Sequence, residues 1–217
     1  MNTLNQKSTR NLLYVASALL FVVIVVAAIA IISLSGNQSD TTSADTVTRT
    51  NSPGEVVNQT LTDFSFVSNS GDELRLSELQ GSYVLLSFGY THCPDVCPAT
   101  MLTFKRVKTI LGESADNLEF VFVSVDGQRD TPQVLDRYLN RYDSAFIGLS
   151  GDSEGLNTIQ DEYGLFYELR ENPNTQAGYL VDHTASKYLI DPQGNLIRIY
   201  SFAVSASEIA AEIQSLL

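Results

Sequence analysis

Apolar and polar positions divide the chain into three zones. Residues 12–34 form an almost unbroken apolar run, relieved only by small or weakly polar residues such as Tyr14, Ser17 and Ser33. A helix of that length crosses a hydrocarbon core of about 30 Å, whereas a cleaved signal sequence would have an apolar core of only about 7–15 residues. Residues 35–58 are rich in Ser, Thr, Asn and Asp, with Pro53-Gly54 near the end. Such a segment cannot bury enough apolar surface to fold and reads as a flexible tether. From residue 59 to residue 217 the pattern becomes periodic, and it predicts one folded domain.

Residues 61–67 alternate as a short strand, and Ser68-Asn69-Ser70-Gly71-Asp72 is a turn leading into residues 74–76. Residues 83–88 are apolar at nearly every position, as in a strand buried on both faces. A helix is predicted from Pro98 or earlier to Leu111, with Met101, Phe104, Val107 and Leu111 turned inward and Gly112 as its stop. Residues 118–125 are a second core strand. Thr131-Pro132 reads as an N-cap and first-turn proline of a helix reaching about Arg141. A strand over 145–149 and a helix over 152–163, closed by Gly164, come next. Residues 172–178 form a loop rich in Asn, Pro and Gly, directly before Tyr179-Leu180-Val181-Asp182-His183. Residues 188–190 and 196–200 flank Asp191-Pro192-Gln193-Gly194 as a hairpin. Ser205 or Ser207 opens a final amphipathic helix with Ile209, Ile213 and Leu216 inward. Strands alternating with helices predict an α/β domain with both sheet faces covered; no internal repeat is present.

Charge adds a direction. Lys7 and Arg10 precede the apolar run, so residues 1–11 are expected in the cytoplasm, 12–34 as a transmembrane anchor, and the remainder on the outer side. The net charge of −12 resides beyond the tether: from Gln59 onward there are 22 acidic against 10 basic residues. Without a basic patch the domain is not expected to bind nucleic acid.

Cys93 and Cys97 are the only cysteines, and His92 and His183 the only histidines. On a helix, the four-residue separation puts both sulfurs on one face, with Cβ atoms roughly 5–6 Å apart. They could then hold a metal jointly or close a disulfide after a small adjustment. A helix N-terminus lowers thiol pKa, and Pro94 and Pro98 fit a chain entering its first turn. Asp126, Arg129 and Asp130 read as an ion-paired, helix-capping turn, Met101 as core packing, and Tyr90 as a shield beside the cysteines. Asp95 either faces solvent or biases ion entry electrostatically.

Four separated features in order resemble the SCO/SenC family: the apolar anchor, Cys93-Pro94-Asp95-Val96-Cys97-Pro98, Ser124-Val125-Asp126 followed by Arg129-Asp130-Thr131-Pro132, and Val181-Asp182-His183. These are membrane-anchored, thioredoxin-like copper proteins that help assemble the dinuclear copper A centre of cytochrome c oxidase. The resemblance covers about residues 56–217. Gly127 stands where the family usually has proline, and tryptophan is absent.

The resemblance implies a thioredoxin-like domain over 59–217, with a central mixed β-sheet flanked by helices. It implies copper ligands at Cys93, Cys97 and His183, a set able to hold Cu(I) or Cu(II), with His92, Asp95 and Asp182 as candidates for the surrounding shell. Copper would pass to the copper A subunit of cytochrome c oxidase. A copper-donor chaperone and a thiol–disulfide reductant would be further partners. The expected location is a bacterial cytoplasmic membrane, crossed once, with the domain on the periplasmic or extracellular side. Two other readings remain open. A membrane-tethered thiol–disulfide oxidoreductase would reduce the oxidase subunit's copper-ligand cysteines, although three residues rather than the usual two separate this pair and His183 then has no evident task. A copper or redox sensor would need a separate effector protein.

Overall fold

The computed structural model describes residues 54–171 and 178–217. The expected cytoplasmic segment 1–11, the anchor 12–34, most of the tether and positions 172–177 of the loop lie outside the described residues. Among the described residues, no helix is long and apolar enough to cross a membrane.

Ten strands and four α-helices are described: β1 (Glu55–Thr60), β2 (Ser65–Ser68), β3 (Glu73–Arg75), β4 (Tyr83–Gly89), α1 (Val96–Leu111), β5 (Leu118–Ser124), α2 (Pro132–Leu139), β6 (Ile147–Ser150), α3 (Ser153–Tyr163), β7 (Tyr167–Glu171), β8 (Tyr179–His183), β9 (Lys187–Ile190), β10 (Asn195–Tyr200) and α4 (Ala206–Leu216). Eight strands form one mixed sheet in the order β1-β10-β9-β4-β5-β6-β2-β3, while β7 and β8 pair only with each other. The continuous apolar run of β4 lies at the centre, parallel to β5 and antiparallel to β9. Its positions from Val84 to Phe88 are buried on both faces, as a strand covered from two sides must be.

One face is covered through Phe104 of α1 against Phe120, and through Tyr138 of α2 against Phe122. The opposite face is covered through Tyr163 of α3, which meets Phe88 and Tyr188 edge-on at 5.2 Å each. The inward stripe expected of α1 is in place, with Met101, Phe104, Val107 and Leu111 all buried. Local caps set the other helix starts. Asp152 accepts from the Gly155 N–H at 2.8 Å, and Ser205 forms a capping box with Glu208 at the start of α4.

Two strands lie where sequence reasoning placed none. The expected tether extended to residue 58, but Glu55–Thr60 joins the sheet edge by pairing with β10. Its side chains are mostly exposed, so backbone pairing rather than an apolar pattern brings it into the fold. Strand β7 is likewise almost wholly exposed and gains its partner only through β8, across a gap in sequence.

Lys187 of β9 is completely buried. Its ammonium donates to the carbonyls of Ser201 and Phe202, at 3.2 and 3.3 Å, and faces the Phe202 ring at 5.5 Å. Burial, with no carboxylate partner among the described residues, pushes its pKa down to about 8. Between that value and the ordinary lysine range near 10.5, the unfolded chain holds the proton and the folded one does not, so stability rises with pH across this window. Comparison with Lys187→Met by urea denaturation should show the wild type gaining about 2–3 kcal/mol on the variant between pH 8 and 10.5. A pH-independent difference would place the ammonium in water.

Candidate metal centre

Strand β4 ends at Gly89, and the chain turns through residues 90–95 before α1 begins at Val96. This puts both cysteines outside the carboxyl end of a central parallel strand, where open α/β sheets place their ligands. Asp95 is the N-cap residue of α1, but its side chain makes no capping bond. The Cys93 sulfur instead accepts the Cys97 N–H at 3.4 Å, so a thiolate there serves as a capping anion on the first helical turn. Cys97 is buried to 1 % exposure, and its sulfur accepts the Tyr90 N–H at 3.4 Å.

Space for that sulfur comes from a residue without a side chain. A Cβ at position 89 would lie 2.7 Å from the Cys97 Sγ and 2.6 Å from the Phe122 ring. Gly89 thus belongs to the site, although sequence reading passed over it; a glycine closing a nearly continuous apolar strand just before the cysteine segment was the available signal.

His183 arrives from β8. Its Nδ1 lies 2.9 Å from the Thr184 carbonyl oxygen, which can only accept, so Nδ1 carries a proton. In the neutral ring Nε2 is then a free lone pair, and it lies 3.3 Å from the Cys97 Sγ. The donor atoms of Cys93, Cys97 and His183 all fall within 4.8 Å of one another, and among the described residues this is the group able to hold a metal ion. Tyr90 is buried and meets the His183 ring edge-on at 5.8 Å, the shielding position expected of it.

The two thiols are electrostatically unequal. A hydrogen bond from the Cys97 thiol is the largest influence on Cys93, followed by an opposing burial effect, and the backbone N–H groups at Asp95 and Cys97 lower it further; the net effect pulls Cys93 down to about 3. Cys97 moves the other way, first because its proton is held by the Cys93 sulfur and then because it is buried. The pair is thus driven apart, Cys93 toward the thiolate and Cys97 toward the protonated form.

The other expected site residues sit further out. His92 is exposed and turns toward Thr91 and Asp130, with its Nδ1 3.0 Å from the Thr91 Oγ1 and 3.7 Å from Asp130. Asp95 is exposed. Asp182, expected beside His183, points to the other side of β8 and pairs with Arg170 at 2.5 Å across the β7–β8 ribbon; neighbouring strand residues face opposite ways. Asp126 and Arg129 form the expected ion pair. Asp130 does not join it: fully buried, it accepts from the Thr91 N–H and Oγ1 at 2.8 and 2.6 Å and from the Ser124 Oγ at 2.6 Å. It thereby ties the turn after β5 to the segment before the cysteines. Nothing in the sequence singled out Thr91 for this. At Gly127 a Cβ would lie 2.5 Å from the Gly151 carbonyl oxygen, so glycine there accompanies a close approach of two turns.

A family model described as SCO1/SenC matches residues 53–217. An SCO2-like protein of Rickettsia prowazekii is 32% identical over 146 residues, covering 67% of this chain and 71% of the relative. Among solved structures, apo Sco1 of Thermus thermophilus is 36% identical with a TM-score of 0.66, covering 76% of this chain and 97% of that one. ScoI of Bradyrhizobium japonicum, solved with copper bound, is 32% identical with a TM-score of 0.65, covering 73% and 99%.

The thiol asymmetry has a direct test. At pH 6 iodoacetamide should modify Cys93 and spare Cys97, as read by peptide mass mapping. Cys97→Ala removes the thiol donor and should slow Cys93 labelling at that pH by at least about tenfold; equal labelling of both cysteines would refute the assignment. Gly89→Ala should lower stability by about 1–3 kcal/mol in denaturant unfolding, because the new Cβ would overlap the buried Cys97 sulfur and the buried Phe122 ring.

Proposed function

The chain belongs to the SCO1/SenC family, and from that membership we propose that it binds one copper ion through Cys93, Cys97 and His183 and delivers it to the copper A site of cytochrome c oxidase. The convergence of two sulfurs and one imidazole Nε2 within 4.8 Å carries this reading. Bonds of about 2.0–2.3 Å to sulfur and nitrogen hold three ligand atoms of a planar site about 3.5–4 Å apart, so these donors need only a small adjustment. Their chemistry agrees: thiolate suits Cu(I), and imidazole also accepts Cu(II).

Copper here is cargo, and the protein's own groups explain how it is taken up and released. Cys93 is the more acidic thiol, so the proton of Cys97 is the harder one for the incoming ion to displace. The Thr184 carbonyl holds His183 in the tautomer whose Nε2 faces the sulfurs. Cys93 is half-buried while Cys97 lies beneath it, which leaves the outer sulfur as the point of contact for an incoming donor or acceptor ligand. Oxidation of the pair to a disulfide would remove both thiolates, so a thiol–disulfide reductant belongs to the cycle along with a copper-donor chaperone. Residues 12–34 would hold the domain against a bacterial cytoplasmic membrane, on its outer side, close to a membrane-bound acceptor.

The polarised thiol pair also favours a second reading, in which Cys93 attacks a disulfide of the oxidase subunit and Cys97 resolves the mixed disulfide. The reduced chain should bind one copper per molecule, and His183→Ala should weaken binding by tenfold or more, measured by competition with a chromophoric Cu(I) chelator. A chain that holds no copper, yet reduces a copper A subunit equally well with and without His183, would select the reductase.

A further inference from the structure

His183 is carried by the ribbon β7–β8, which shares no strand pairing with the eight-stranded sheet. The height of the imidazole over the sulfurs is therefore set by whatever else fastens the ribbon to the body. Along part of its length it stands off: a cleft of about 370 Å³ lies between Tyr167 and Leu169 of β7 and the segments Val125–Gln128 and Ser150–Ser153. At the far end of β8, by contrast, one residue is gripped in three ways. Arg129 donates through Nη1 to the Tyr179 carbonyl at 3.0 Å, its guanidinium lies 3.5 Å from the centre of the Tyr179 ring, and its Nε is paired with Asp126. The Tyr179 hydroxyl donates to the same Asp126 carboxylate at 2.8 Å. Arg129 also lies 5.7 Å from the Tyr90 ring, whose edge meets His183.

Tyr179 and His183 are the first and last residues of a five-residue strand. They lie on the same face, since side chains repeat every second residue. A short stiff segment clamped at Tyr179 thus transmits its orientation to the imidazole. We propose that Asp126, Arg129 and Tyr179 form a latch that positions His183 over the cysteine pair. The Asp126–Arg129 turn follows β5, so this contact, together with the Thr184 Oγ1 bond to the Gly164 carbonyl, ties the ligand's strand to the body of the domain without strand pairing. For copper the inference rests on the three-ligand reading above; the placement of His183 does not.

The test is made on the reduced, metal-free 217-residue chain in detergent, labelled at His and Tyr, with Arg129→Gln and Tyr179→Phe. The nuclear Overhauser contact between the His183 and Tyr90 rings should disappear in Arg129→Gln and weaken in Tyr179→Phe. The contact between the Tyr90 amide and the Cys97 β-protons should remain in both. Arg129→Lys keeps the charge beside Asp126 but lacks the planar fork, and should not restore the ring contact. Copper affinity should fall on the order of tenfold in Arg129→Gln, with no further loss when the same change is made in the His183→Ala background. A His183–Tyr90 contact unchanged in both variants overturns the latch. If Arg129→Gln also loses the Tyr90–Cys97 contact, its fold is disturbed and Tyr179→Phe decides alone. If the ring contact is lost but His183→Ala binds copper like the wild type, the latch stands and the three-ligand reading falls.

Discussion

The sulfur of Cys97 occupies the one position on which the rest of the site depends. It is buried against the end of the central strand, under the Tyr90 amide, in space that exists because residue 89 has no side chain. A buried thiol in such a place gains little by ionising, because the low-dielectric surroundings penalise its charge. Its neighbours are the Cys93 sulfur and the His183 Nε2, which lies 3.3 Å away. The negative charge goes to Cys93, which is closer to solvent and also receives the Cys97 N–H at the start of α1. One steric allowance at Gly89 is thus linked to the division of labour between the two thiols.

The third member of the group has a different mechanical basis. Both cysteines belong to a strand–turn–helix unit whose geometry is locally determined and anchored in the core by Met101, Phe104 and Val107. His183 comes from a separate two-stranded ribbon, fastened by an arginine stacked on a tyrosine and by the Thr184 contacts to Phe166 and Gly164. A rigid pair of sulfurs and a separately held imidazole would suit the proposed grip and release of a bound ion. Withdrawing one ligand lowers affinity without dismantling the fold.

Much of this was legible residue by residue. The apolar run of β4, the stripe of α1, the proline at the start of α2 and the Asp-Pro-Gln-Gly hairpin each have a local cause, and the structure places those elements within a few residues of expectation. The strands that escaped notice, β1 and β7, are mostly exposed and owe their existence to a partner strand far away in the sequence, β10 for one and β8 for the other. β1 lacks the alternating pattern by which a strand reveals itself, and β7 carries it only over the four residues Tyr167-Glu168-Leu169-Arg170. Asp182 shows the same limit at the scale of one side chain: adjacent to His183 in sequence, it faces the other way and pairs with Arg170.

The sequence by itself determined the residue types of the site. It holds only two thiols and two histidines, and the spacing of the thiols at the mouth of a helix fixes their proximity through helix geometry alone. It also determined the acidic character of the domain and the order of its elements, because composition and hydrophobic period are local properties. Only the tertiary structure decided which histidine joins the sulfurs by geometry, since His92 is next to Cys93 in the chain yet turns to Thr91 and Asp130, while His183 lies 86 residues from Cys97 and reaches its sulfur. It likewise decided which thiol carries the charge and how the imidazole is aimed. Those properties depend on burial and on contacts between segments remote in sequence, and no local pattern encodes the distance between two such segments.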